Sequence, residues 1–110
     1  MKVALIVPDD FKDLNFLAPI LDQINCEEII SGTSNGYRLL EEYIVSTHRK
    51  ITISKTQQAK TPPQRTYNAI DAADQVIVLT HDKGIKTKKA LEYAQKQQKI
   101  LMTYRVEITK

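Results

Sequence analysis

The chain has 110 residues, 42% hydrophobic and 26% charged, values that suit a single soluble globular domain over residues 1–110 and a core that needs no covalent staples. Its single cysteine, Cys26, excludes an intrachain disulfide and, with only two histidines, a typical zinc site, so no metal and no cofactor are expected. Net charge is only +3, but residues 1–45 hold three bases and eight acids, and residues 46–110 hold thirteen bases and five acids. That asymmetry suits either a molecule with a basic face or an ordinary solvated lysine-rich surface.

In chain order, "KVALIVP" is a nearly unbroken apolar run, the pattern of a strand buried on both faces. No such run reaches the length of a membrane span, and the opening turns acidic at Asp9 too soon for a signal peptide, so no membrane contact is expected and the cytoplasm is the default location. Leu14, Leu17, Ile20, Leu21 and Ile24 then recur at helical spacing, with Asp13 as N-cap and Pro19 as a source of a kink or a shifted start. Cys26 reads as a small core or helix-end residue. "EEIIS" predicts a brief strand, "YRLLEEYIVSTH" a second helix and "KITIS" a third strand. "KTQQAKTPP" reads as an irregular loop. "QRTYNAIDAAD" predicts a third helix, "QVIVLT" a fourth strand, "TKKALEYAQKQQK" a helix with Thr87 as a possible N-cap, and "ILMTYRVEI" a last strand. The alternation predicts an α/β, three-layer Rossmann-like fold with a parallel five-stranded sheet in the order 3-2-1-4-5.

Ligands of such sheets bind outside the carboxyl ends of the strands, at the switch point between strands one and four. The rule points to Pro8, Asp9 and Asp10 after strand one, Ser31–Gly36 after strand two, the stretch ending in Arg65 after strand three, and Thr80–Thr87 after strand four. Ser31, Gly32, Thr33, Ser34 and Gly36 offer hydroxyls, glycines and a helix N-terminus, features that attract anions. An ordinary turn with Ser34 or Asn35 as N-cap explains the same residues. Lys83, Lys86, Lys88 and Lys89 crowd the start of the last helix, where the helix dipole disfavours bases, which suggests an anionic partner. Gly84 lies among them. Solvated lysines are the plain alternative. Arg65 is placed to fork onto a phosphate. Asp10 and His81 are the candidates for acid–base work, although no catalytic constellation surrounds either.

The string Ser31-Gly32-Thr33-Ser34-Asn35-Gly36-Tyr37-Arg38-Leu39 resembles the Ser-Gly-Gly-x-x-Gly-x-Asp signature of the SLOG superfamily, in particular its small YspA-like branch. "PPQRTYNAIDAADQVIVL" resembles that branch's Gly-Pro-x-Arg-Asn-x-x-Met-x-x-x-Ala-Asp segment at Pro63, Arg65, Ala73 and Asp74, and Asp10 and Phe11 align with its Asp-Phe. The superfamily includes the LOG phosphoribohydrolases and DprA. The resemblance implies a nucleotide-derived ligand at the strand ends. It departs at Thr33, which replaces a glycine, at Val7 and Asp9, at Tyr37, at Lys86, and at Ala90, where the hydrolases' catalytic Glu would fall. Loss of that general acid–base leans against enzymatic activity.

The leading expectation is therefore a binding domain for a small nucleotide, cyclic nucleotide or ADP-ribose type of ligand, without hydrolase activity. The alternatives are a phosphoribohydrolase-like enzyme with a rearranged acid–base using Asp9, Asp10 or His81, and a basic nucleic-acid or protein-interaction module. A homo-oligomer, specifically a dimer, is expected by analogy with small Rossmann-like domains.

Overall fold

The apolar runs become the strands of one sheet. In a computed structural model the elements are β1 (Lys2–Ile6), α1 (Leu14–Asp22), β2 (Glu28–Ser31), α2 (Ser34–Thr47), β3 (Thr52–Lys55), α3 (Pro62–Ala72), β4 (Gln75–Thr80), α4 (Ile85–Lys96) and β5 (Ile100–Arg105). The structure describes residues 1–8, 11–55, 62–80 and 85–106, and only the backbone of residues 34, 62, 63, 65, 85, 86 and 87. All strands are parallel and lie in the order β3-β2-β1-β4-β5, as the sequence pattern predicts.

Alternation along β1 divides the core in two. Val3, Leu5 and Val7 join Leu17, Ile20 and Leu21 of α1 and Leu39, Leu40 and Tyr43 of α2. Ala4 and Ile6 join Ala69 and Ile70 of α3 and Ala90 and Ala94 of α4. In β2 likewise, Ile29 joins the first cluster and Ile30 the second. The reversal of strand order at β1 thus places α1 and α2 on one face and α3 and α4 on the other.

Helix ends explain where boundaries shift from the sequence reading. Asp13 caps α1, its carboxylate accepting from the Phe16 N–H at 3.2 Å, and Pro19 lies inside the helix without ending it. Proline has no N–H to return to the carbonyl of Asn15, so packing of Leu17, Ile20 and Leu21 carries the helix through. α2 starts a turn earlier than its apolar periodicity because Thr33 is the N-cap, in place of Ser34 or Asn35. α3 begins at Pro62, so the two prolines read as loop open a helix instead, where a missing N–H costs nothing. α4 begins at Ile85, which puts Thr87 inside the first turn and not at the N-cap. His48 closes α2 in a left-handed conformation (φ 57°), its N–H donating to the Ile44 carbonyl at 2.8 Å.

The amino edge of the sheet is held by polar clamps. The Lys2 N–H donates to Asp74 Oδ2 at 2.9 Å, and the Asp74 N–H donates to the Lys2 carbonyl at 2.8 Å. Asp74, matched above to a family motif, therefore fixes β1 against β4 at the end remote from the switch-point loops. Arg49 donates to the carbonyls of Leu21 (2.7 Å) and Ile24 (3.0 Å) at the end of α1 and to the Tyr43 hydroxyl (2.7 Å), which itself donates to Asp22 (2.6 Å).

Candidate functional site

The carboxyl edge gathers Pro8 after β1, Ser31 to Gly36 after β2, Lys55 at the end of β3 and Thr80 at the end of β4. Parallel register sets Leu5 beside Ser31 and Ser31 beside Lys55, so these ends are adjacent in space.

Most polar atoms of the Ser31–Gly36 loop are engaged within the chain. Ser31 is fully buried; its hydroxyl donates to the Thr33 carbonyl and accepts from the Thr33 N–H at 3.3 Å. The Thr33 hydroxyl accepts from the Gly36 N–H at 3.0 Å, and the Gly32 N–H donates to the Leu5 carbonyl at 3.3 Å. The N–H groups of Ser34 and Asn35 precede Gly36 in the same turn, where an α-helix supplies no acceptor of its own.

Both glycines are required by close approach. A Cβ on Gly32 would stand 2.6 Å from Ile6 Cδ1 and 3.2 Å from the Thr66 Cα, so α3 packs directly on this strand end, and the Thr66 hydroxyl donates to the Gly32 carbonyl at 3.1 Å. A Cβ on Gly36 would stand 2.8 Å from Ser31 Oγ and 3.0 Å from Thr33 Oγ1, the two oxygens that order the turn. Neither glycine has a positive φ.

Asn35, considered in the sequence only as a possible cap, has a different task. Its amide nitrogen donates to the Pro8 carbonyl at 3.1 Å and to the Phe11 carbonyl, tying the loop after β1 to the start of α2. The Phe11 N–H also turns back to the Pro8 carbonyl at 3.1 Å. Pro8 is buried. It therefore serves this edge as a wall and a backbone acceptor.

Lys55 was not singled out by sequence reasoning, and Tyr37 only as a departure from the family signature. The Lys55 ammonium lies 5.0 Å from the centroid of the Tyr37 ring, so the ring face positions an exposed cation beside the loop. Their 18-residue separation hides the pair, which only the β2–β3 register reveals. At the β4 end, the Thr80 hydroxyl donates to the Tyr104 carbonyl at 3.4 Å and the Thr80 carbonyl accepts from the Val106 N–H at 2.8 Å, so Thr80 is used in joining β5.

The other sequence candidates divide in two. Asp9, Asp10, His81, Lys83 and Gly84 lie outside the described residues, while Ser34, Arg65, Lys86 and Thr87 are placed by their backbones, in the first turns of α2, α3 and α4. These helix starts follow strands β2, β3 and β4 and so stand at the carboxyl edge. Ala90 is fully buried in the core under α4, among Ala69, Ile70 and Ala94, and not at the edge.

Shifted acidities occur elsewhere among the described residues. Burial, then the hydrogen bond to Asp22, raises the Tyr43 phenol; burial raises the Cys26 thiol and keeps it protonated near neutral pH. Hydrogen bonds from Gln97 and Tyr93 lower the Asp71 carboxyl. Among the described residues no group of three or more His, Cys, Asp or Glu side chains is placed to hold a metal ion, and no helix is long and apolar enough to cross a membrane.

Comparison with family models, with curated proteins and with solved structures gives no match to this chain. The class defined by the geometry is accordingly a Rossmann-like α/β domain with a 3-2-1-4-5 parallel sheet.

Proposed function

We propose that this protein is a binding domain of the SLOG type that takes a small nucleotide-derived anion at the carboxyl edge of the sheet, without hydrolysing it. One observation carries the reading. The start of α2, fixed by the Thr33 cap and the Asn35 clamp, opens beside the β1–β4 switch point with the N–H groups of Ser34 and Asn35 in its first turn. Such a turn favours an anion through its unpaired donors and its dipole. Arg65 and Lys86, in the first turns of α3 and α4, supply cations along the same edge, and Lys55 adds another beside Tyr37. Lys83 and His81, from the segment after β4, belong to the same proposed set.

Two features support binding over hydrolysis. The position matched to the hydrolases' Glu is Ala90, buried against the sheet. The hydroxyls of Ser31, Thr33 and Thr80 are committed to internal hydrogen bonds and leave no activated nucleophile among them.

Calorimetric titration against nucleoside phosphates, cyclic nucleotides and ADP-ribose tests the proposal. At least one should bind saturably, and Arg65→Ala or Lys86→Ala should weaken it by roughly tenfold or more, the usual loss for a hydrogen bond to a charged group. A flat titration across the panel, or binding that both substitutions leave unchanged, overturns it. Release of a free base from a nucleoside monophosphate by the unmodified protein would overturn the non-hydrolytic part alone.

A further inference from the structure

Two helix ends at the amino edge are held by the same arrangement of residue types. In the first, the Tyr43 hydroxyl of α2 donates to Asp22 at the end of α1 (2.6 Å), and Arg49 donates to the carbonyls of Leu21 (2.7 Å) and Ile24 (3.0 Å). In the second, the Tyr93 hydroxyl of α4 donates to Asp71 at the end of α3 (2.7 Å), and the Lys99 ammonium donates to the carbonyls of Ile70 (3.1 Å) and Asp71 (3.2 Å). In both, the base directly follows a residue with φ 57°, His48 or Gln98. Left-handed residues of this kind end helices, and a cation at a helix C-terminus meets the carbonyls left unpaired there.

The spacing is nearly constant. Tyr43 and Tyr93, His48 and Gln98, and Arg49 and Lys99 each stand 50 positions apart, and Asp22 and Asp71 stand 49 apart. Core positions follow the same offsets. Ile20, Leu21 and Ile24 correspond to Ala69, Ile70 and Ala73, and Leu40 to Ala90, all of them buried. Side-chain size hides the repeat in the sequence, because Ala69, Ala73 and Ala90 stand where the first half has isoleucine or leucine. Strand order agrees with it. With every strand parallel, an axis that exchanges β2 with β4 and β3 with β5 must run along the central β1, and a half-turn about that axis exchanges the two faces of the sheet. α1 and α2 do line one face and α3 and α4 the other.

We propose that the chain is a tandem repeat of one αβαβ unit, α1-β2-α2-β3 and then α3-β4-α4-β5, wound about β1, and that the tyrosine, aspartate and base are the unit's lock, a device that fixes each helix pair independently of the other. The two locks differ in one detail that their residues explain. Arg49 has a forked head and also donates to the Tyr43 hydroxyl at 2.7 Å. Lysine has no fork, and in the second unit Gln97 supplies the additional donor, to Asp71 Oδ1 at 2.9 Å. The first lock is built on a fully buried tyrosine and the second is more exposed, so the first holds its helices more firmly. The inference does not rest on the proposed anion site.

Amide hydrogen exchange of the intact protein, resolved by residue, tests it. Arg49→Ala should speed exchange of the amides of residues 20–24 by about tenfold, the usual loss for hydrogen bonds to a charged group, and leave residues 69–73 at the rate of the parent. Lys99→Ala should do the reverse, by a smaller factor. Arg49→Lys and Lys99→Arg each install the base that the other unit uses, and should keep most of the parent's protection. Tyr43→Phe removes only a hydroxyl and gives the same local reading if Arg49→Ala does not fold. Alanine variants that leave both segments unchanged, acceleration that spreads equally to both segments, or conservative exchanges as damaging as alanine overturn the proposal.

Discussion

At Thr33 one hydroxyl oxygen satisfies the Gly36 N–H and so holds the first turn of α2. Thr33→Ala removes that acceptor and should cost about 1 kcal/mol in urea unfolding, while Thr33→Gly should cost only a few tenths, since glycine is itself a tolerated N-cap. Equal stability of the alanine variant and the parent would show that the cap is not holding the turn. The Ser31–Gly36 motif was legible as a strand-to-helix junction, but Ser31 belongs to β2 and Ser34–Gly36 to α2, and the duties inside it were not legible. Ser, Thr and Asn are interchangeable as cap candidates in a sequence. Which of them caps depends on where the strand stops, and Asn35 turned out to serve the loop after β1. The glycines misled in the same way. Their spacing suggests close backbone approach to a phosphate, yet Gly32 is filled by Ile6 and Thr66, and Gly36 by Ser31 and Thr33.

Helices gave up their periodicity to the sequence and kept their ends. α3 and α4 both begin two residues before the pattern suggested, because proline and a β-branched residue at a first turn obey terminal rules and not interior ones. The close of α4 is a case where the residue and the conformation disagree. Gln98 has φ 57°, its N–H donates to Gln95 and the next N–H, of Lys99, reaches back to the Ala94 carbonyl at 3.2 Å. A side chain in that left-handed position costs roughly 1 kcal/mol that glycine avoids. Gln98→Gly should therefore raise the melting temperature by several degrees, and a drop would show that the glutamine side chain contributes more than its backbone costs. The junction of α3 and α4 has its own pH signature. Gln97 and Tyr93 donate to Asp71 Oδ1 at 2.9 and 2.7 Å, which favours the charged carboxylate in the folded state and lowers its pKa. The stabilisation is complete above the unfolded value, about 3.9, and is lost as pH falls through the lower folded value. Asp71→Asn keeps the acceptor and removes the charge. Its stability deficit relative to the parent should be small, since the pair is exposed, present at neutral pH and gone at the acid end. A deficit independent of pH would assign the effect to packing.

For the molecule as a whole, the strand order was readable because β1 and β4 are buried on both faces and leave uninterrupted apolar runs, while helices between them force parallel pairing. The same burial predicts a gradient of amide exchange. β1 and β4 should be the slowest to exchange and the four-residue edge strand β3 the fastest. A slowest-exchanging β3 would contradict this layout. The polar arrangement of the carboxyl edge was less legible, since it depends on atoms brought together by register, as Tyr37 and Lys55 are. The place of β1 at the centre of the sheet has a consequence for synthesis. Its partner on one side, β2, follows within about thirty residues, but its partner on the other, β4, begins at Gln75, and the clamp between Lys2 and Asp74 spans 72 positions. On the ribosome, which delivers the chain from the N-terminus at about 5–20 residues per second, the Val-Ala-Leu-Ile edge of β1 must wait several seconds for Gln75–Thr80 to emerge. Until then the nascent sheet presents its most apolar strand as an open edge, the form in which a chaperone would meet it or a neighbouring nascent chain would pair with it.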